Sequence, residues 1–316
     1  MPRSTSLEVL ATALLGLAIP ATPTTFHYSG ISVPGISAPQ VSGINNAGQI
    51  AGSGGAGEVS KGFILTGTSV TTIFRSGSSG TQVFGINDAA QVVGTYIGGM
   101  HPGRNALTGF ANALQPVIVP GADSTPAANG INNHGQIVGD SISGGVMSGF
   151  LDNAGTFTTL SYPGSSGTQA LGINDSGEIV GTYVDSAGVQ HAYFYKNGEY
   201  KTIQIPGNTG DSHATGINSS GQIVGYFDSK EGTQGFLDDN GTFSILNYPG
   251  VDITHVFGIN NAGQIVGTYE DSASRLFSFQ ATSAVPEPST AALVGVSFLL
   301  AGLGAMRVAR VRRRRA

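Results

Sequence analysis

Gly172-Ile173-Asn174-Asp175-Ser176-Gly177-Glu178-Ile179-Val180-Gly181 is one of six versions of a single phrase. Gly-Ile-Asn begins at Gly43, Gly85, Gly130, Gly172, Gly216 and Gly258, at intervals of 42, 45, 42, 44 and 42 residues. A period of that length is the size of a four-stranded propeller blade. One such unit cannot bury its own apolar faces, so repetition is first a way of building a shared core.

Turn residues divide each repeat into two hairpins. In the fourth repeat they predict strands over residues 171–174, 178–183, 191–195 and 200–205, with a tight turn at 175–177. The turn closes on Gly48, Gly135, Gly177, Gly221 and Gly263. Ala90 holds that place in the second repeat, which predicts a strained or differently built turn. The second strand carries adjacent apolar residues, such as Val92-Val93, Ile137-Val138 and Ile265-Val266. Neighbours on a strand point to opposite faces, so both faces are expected to be covered. The glycine that follows each pair (Gly52, Gly94, Gly139, Gly181, Gly225, Gly267) reads as an answer to crowding where the sheets converge on an axis.

The repeats break unevenly at the two ends. A fourth strand running into Pro-Gly is present at residues 156–164 and 242–250, and Pro120-Gly121 and Pro206-Gly207 end further units. The last repeat has none, whereas Thr25, Phe26 and Pro34-Gly35 stand before the first. The expected fold is therefore all-β: a six-bladed β-propeller over residues 22–281, closed by an N-terminal strand. Closure would remove open sheet edges. An elongated β-solenoid is the alternative.

Composition narrows the function. The chain has 316 residues, 49 of them glycine, and no cysteine, which excludes disulfides, thiolate metal sites and cysteine nucleophiles. Seven of the 14 basic residues lie at the ends (Arg3, Arg307, Arg310, Arg312, Arg313, Arg314, Arg315). The body keeps seven against 17 acidic residues, a charge of about −10. Such a surface repels phosphate backbones, so no nucleic-acid partner is expected.

Residues 7–17 form an apolar stretch interrupted by Glu8 and Thr12, with Arg3 before it and small residues after it. Residues 1–21 thus resemble a secretory signal peptide; an N-terminal tail is the alternative. Residues 289–306 carry no charge and would span about 27 Å as a transmembrane helix. The arginines beyond it are expected to stay cytoplasmic, leaving the body exported. Pro286-Glu287-Pro288, the apolar helix and the Arg-rich tail together resemble the PEP-CTERM sorting signal, covering residues 282–316. That resemblance implies an exosortase-like processing enzyme as partner, a transient inner-membrane anchor, and delivery to the cell surface or medium. An uncut anchor is the alternative.

The repeats also resemble the extracellular HAF-repeat family, through His191-Ala192-Tyr193 and the pairs Gly62-Phe63, Gly109-Phe110, Gly149-Phe150 and Gly235-Phe236, with Leu276-Phe277 a looser match. The resemblance implies an exported repeat protein and no particular reaction.

Three residues before each Gly-Ile-Asn stand Gln40, Gln82, Ala127, Gln169, His213 and His255. If the first strand is innermost, these positions ring one mouth of a central channel. Gln40, Gln82, Gln169, His213 and His255 are the candidate ligand-binding residues, because amides and imidazoles can hydrogen-bond a sugar or hold an ion. The alternative is that they satisfy backbone groups at a strand start. His213 and His255 lack a recurring third ligand, so no metal is assigned. Asn45, Asn87, Asn132, Asn174, Asn218 and Asn260 read as turn caps. The insertion from Met100 to Arg104 marks the most divergent loop. No catalytic constellation and no cofactor motif is found. The expected protein is a non-enzymatic surface or matrix module for exopolysaccharide or a protein partner. A propeller-based polysaccharide hydrolase or lyase is the alternative, which would require Asp140, Asp185, Asp211, Asp228 or Asp252 to converge on His213 and His255.

Overall fold

The computed structural model describes residues 25–55, 59–98, 107–111, 114–124 and 126–283. The expected signal peptide 1–21, Pro286, Glu287 and Pro288, the apolar segment 289–306, the arginine tail and the insertion from Met100 to Arg104 lie outside the described residues. Among the described residues there are 24 strands and no helix.

Each of the first five repeats is an antiparallel run of four strands in chain order. In the fourth these are Gly167–Ile173, Ile179–Val184, Gln190–Lys196 and Glu199–Thr202. The first strand begins four residues earlier than the turn residues predict, because Thr168 and Gln169 pair with Tyr183 and Thr182. The fourth stops at Thr202, short of Ile203 and Ile205, which turn into the core. The last repeat supplies three strands, and its third, Leu276–Ser283, pairs along its length with the N-terminal strand Phe26–Ile31. The register runs from Phe26 opposite Ser283 to Ile31 opposite Ser278.

The core lies between the units. The second residue of each apolar pair is completely buried, and it packs against the next unit: Val180 against Ala214 and Ile217, and Val224 against Val256 and Ile259. Val266 of the last unit packs against Val41 and Ile44 of the first. Covering both faces is what the adjacent apolar residues required.

Two expectations need physical correction. The glycine after each apolar pair is not placed by crowding at the axis. A Cβ on Gly225 would come within 1.9 Å of the His213 carbonyl oxygen and 2.7 Å of the Phe236 ring, both in its own unit. The third-strand aromatic lies across that glycine in every unit where its side chain is described: Phe63, Phe150, Tyr193, Phe236 and Phe279. Axial crowding falls instead on the Gly-Ile-Asn glycine; a Cβ on Gly216 would meet Gly258 Cα at 3.2 Å. The second correction concerns the last repeat, where Phe279 and not Phe277 stands opposite Gly267. Phe277 lies opposite Tyr269 and stacks on it at 5.3 Å. The Ala90 turn has the same hydrogen bond as its counterparts, Ala90 N–H to the Asn87 carbonyl at 3.0 Å. It is therefore strained and not differently built, with φ at 57°.

Candidate functional site

Residues of the six Gly-Ile-Asn segments line shared cavities, and their side chains fall into layers. At one end the six asparagines form a buried hydrogen-bonded ring. Each Oδ1 accepts backbone N–H groups of its own turn, as Asn174 does from Ser176 and Glu178 at 3.0 Å. That is the expected turn cap. Each Nδ2 donates to the next unit's asparagine carbonyl, in the order Asn45 to Asn87, Asn132, Asn174, Asn218 and Asn260, and Asn260 donates back to Asn45 at 3.0 Å. The capping residue is thus also a bond between units, which no local pattern reveals. Below it Asn46, Asp88, Asn133, Asp175, Ser219 and Asn261 line a cavity of about 100 Å³.

The opposite mouth is wider. Each first strand carries a β-bulge two residues before Ile, at Ser42, Phe84, Asn129, Leu171, Thr215 and Phe257. A bulge re-aims one side chain, and all six of these line the channel floor. They alternate in character. Ser42, Asn129 and Thr215 donate to carbonyls of the next unit, at Val83 (2.6 Å), Ala170 (3.0 Å) and Val256 (2.8 Å). Phe84, Leu171 and Phe257 are apolar and make no such bond. The lining therefore repeats every two units.

Above this floor opens a pocket of about 520 Å³ that contains Gln40, Gln82 and His255 of the predicted ring. Gln40 and Gln82 are exposed, and among the described residues neither amide hydrogen-bonds the protein. The other two predicted residues have been drawn off. Gln169 hydrogen-bonds the Asp140 carboxylate, which also accepts from Asn129 Nδ2 at 2.8 Å. Burial raises the Asp140 carboxyl above the usual range, opposed by those two amides. His213 Nδ1 is 3.1 Å from Thr182 Oγ1, and its ring stacks on Tyr226 at 4.6 Å. Tyr226 meets the edge of His255 at 4.5 Å, and Phe257 lies beyond at 6.2 Å. These rings form a continuous aromatic wall. Burial holds both imidazoles below the ordinary histidine range, against the pull of Asp211 and Asp228 on His213 and of Glu270 and Asp228 on His255.

Sequence reasoning found the amides and imidazoles but missed Phe84, Leu171, Tyr226 and Phe257. The signal for Phe84, Leu171 and Phe257 was the alternation of polar and apolar residues just before each Gly-Ile-Asn, whereas Tyr226 stands on a second strand. Of the five aspartates, Asp211 and Asp228 act on the histidines through their charge alone. Among the described residues none hydrogen-bonds His213 or His255. Asp185 lies 2.8 Å from His191 Nε2, and Asp211 accepts from Gln190. No group of three or more His, Asp or Glu side chains suited to a metal ion occurs among the described residues.

No family model matches the chain, and neither does any curated protein. Among solved structures it is similar to a streptogramin B lyase, with 14% identity over 84% of this chain and 89% of that one, at a TM-score of 0.43. TolB from Acinetobacter baumannii is 14% identical over 71% of this chain and 60% of that one, at 0.47. The lectin of Aleuria aurantia is 11% identical over 79% and 93%, at 0.42. At these values the likeness transfers no activity.

Proposed function

We propose that the chain is a six-bladed β-propeller closed by its N-terminal strand, exported to the cell surface or medium, and that it binds extracellular polysaccharide at the amide and aromatic mouth. Support for the architecture comes from the pairing of Phe26–Ile31 with Leu276–Ser283 and from the bond of Asn260 to Asn45. Export, with processing by an exosortase-like enzyme, rests on the resemblance of the two ends to sorting signals.

One observation carries the binding reading. The pocket of about 520 Å³ brings the amides of Gln40 and Gln82, which have no partner among the described residues, together with the rings of Phe84, Tyr226 and Phe257 in one lining. Its volume lies in the range of small-ligand sites, and polar groups at a rim over a floor that alternates apolar and polar side chains suit a pyranose, with its CH faces and hydroxyl edges. The reading is of a binding module and not an enzyme, since general acid–base chemistry on a glycan asks for carboxylates across a scissile bond, and Asp140, Asp185, Asp211 and Asp228 bond other groups. The test is a glycan array with mass spectrometry of every sugar retained. Retention without bond cleavage is the expected result. Cleavage would establish the hydrolase or lyase instead, and a blank array would direct the search to a protein partner.

A further inference from the structure

The mouth pocket distinguishes among polysaccharides by charge. Among the described residues no Lys, Arg, Asp or Glu lines it. Its hydrogen-bonding groups are the amides of Gln40 and Gln82, the phenol of Tyr226, the imidazole of His255 and the hydroxyl of Thr268, together with Ser42, Ser53, Asn129 and Thr215, which already bond backbone groups of the protein. Amides and hydroxyls both donate and accept, which matches sugar hydroxyls and leaves no group to neutralise an ion. Moving a carboxylate or ammonium into such a site without a partner is costly.

The two free amides and the His255 imidazole also occupy one side. His255, Gln40 and Gln82 belong to the last, first and second units, which Asn260 and Asn45 link in succession. Across the mouth, Gln169 and Asn129 are spent on Asp140. A ligand therefore finds its hydrogen-bonding partners along one arc, while Phe84 and Phe257 lie in the floor beneath it.

Building on polysaccharide binding at this mouth, we infer that the site selects uncharged hexopyranosyl residues and rejects both uronates and amino sugars. The surrounding body charge of about −10 strengthens the rejection of uronates. It does not rescue amino sugars, because no carboxylate lines the pocket to pair with the ammonium.

The test is calorimetric titration of the purified chain with neutral tetrasaccharides of glucose, mannose and galactose, with tetragalacturonate, and with tetraglucosamine. At least one neutral tetramer is expected to bind at least tenfold tighter than either charged one. Gln82→Ala should weaken that neutral tetramer about tenfold. Gln82→Lys should bring tetragalacturonate up about tenfold, a gain that misfolding does not produce. Tyr226→Phe, which keeps the stacking, separates loss of the phenol from loss of packing. If a charged tetramer binds as tightly as the neutral ones, or if Gln82→Ala changes nothing, the selectivity is overturned while glycan binding stands. If no tetramer and no arrayed glycan binds, both readings fall.

Discussion

Tyr193 carries a hydroxyl where its described counterparts are phenylalanines, and it is fully buried. Among the described residues that hydroxyl has no hydrogen-bond partner. Burial drives the phenol pKa far up, with Tyr200 adding to the effect. An unsatisfied buried hydroxyl costs about 1–3 kcal/mol, while the ring itself packs over Gly181 as the phenylalanines do over theirs. Tyr193→Phe is therefore expected to raise the unfolding free energy by about 1 kcal/mol or more, measured by urea denaturation. A fall in stability would show that the hydroxyl is solvated in the folded protein. The two mouth histidines act through protonation. Their folded pKa values lie below the ordinary value near 6.5, so between the two the unfolded chain holds more protons. Their contribution is complete above that ordinary value and is lost as pH falls through the window beneath it. The raised Asp140 carboxyl works in the opposite sense, over its own window above the usual carboxylate range. Melting temperatures measured from pH 7 to pH 5 should consequently fall less steeply in a His213→Gln, His255→Gln variant than in the parent. Equal slopes would mean that the imidazoles are as free in the folded state as in the unfolded one.

The turn after each Gly-Ile-Asn is an element with a defect in one copy. The side chain following each buried asparagine caps the backbone N–H of the same position in the preceding unit. Asp88 receives Asn46 N–H, Asn133 receives Asp88 N–H, Asp175 receives Asn133 N–H, Asn261 receives Ser219 N–H, and Asn46 receives Asn261 N–H, all at 2.8–2.9 Å. The missing step is Asp175 N–H to position 219, where serine is too short to reach. Ser219→Asn should complete the ring and add about 0.5–1 kcal/mol, read from the shift of the urea midpoint; an unchanged midpoint would mean that water already serves Asp175. This ring shows which parts of the fold were legible. Periodicity, turn glycines and paired apolar residues are local, so the sequence displays them directly. Bulges and bonds between units depend on which strand lies opposite, so a repeat read alone hides them. Phe279 was missed for that reason: only register shows that it, and not Phe277, faces Gly267. The two-unit alternation was present in the intervals themselves. Gly43, Gly130 and Gly216 stand 87 and 86 residues apart, more even than the single repeats, and Ser42, Asn129 and Thr215 precede them. Of the candidate site, the amides could be read and the aromatic wall could not, because Tyr226 reaches it from the second strand.

At the scale of the molecule, everything turns on how the two ends meet. The N-terminal strand is six residues, yet it brings Phe26 and Tyr28 against Phe279 and Ala281, and Tyr28 meets both Phe279 and Tyr248 at 5.5 Å. Without it Leu276–Ser283 becomes an open edge, exposed to pairing with other chains. The junction between the last and first units keeps other bonds, including Ser278 Oγ to the Pro39 carbonyl at 2.6 Å and Val41 N–H to Ser278 Oγ at 3.2 Å. Deleting residues 25–35 should therefore weaken the fold without abolishing it, lowering the melting temperature by about 10 °C, equivalent to a few kcal/mol in a domain of this size. Loss of stability alone does not distinguish closure from the removal of any buried strand. A circular permutant does: residues 25–35 are moved behind Ser283 through a short glycine-rich linker, and the chain begins just before Gln40. In a closed ring the strand returns to the same edge from the other direction, and the permutant should melt within a few degrees of the parent and stay monomeric. In an open solenoid the transferred strand would extend a terminus and leave the first unit bare. The permutant would then melt like the deletion, and the closed architecture would be wrong.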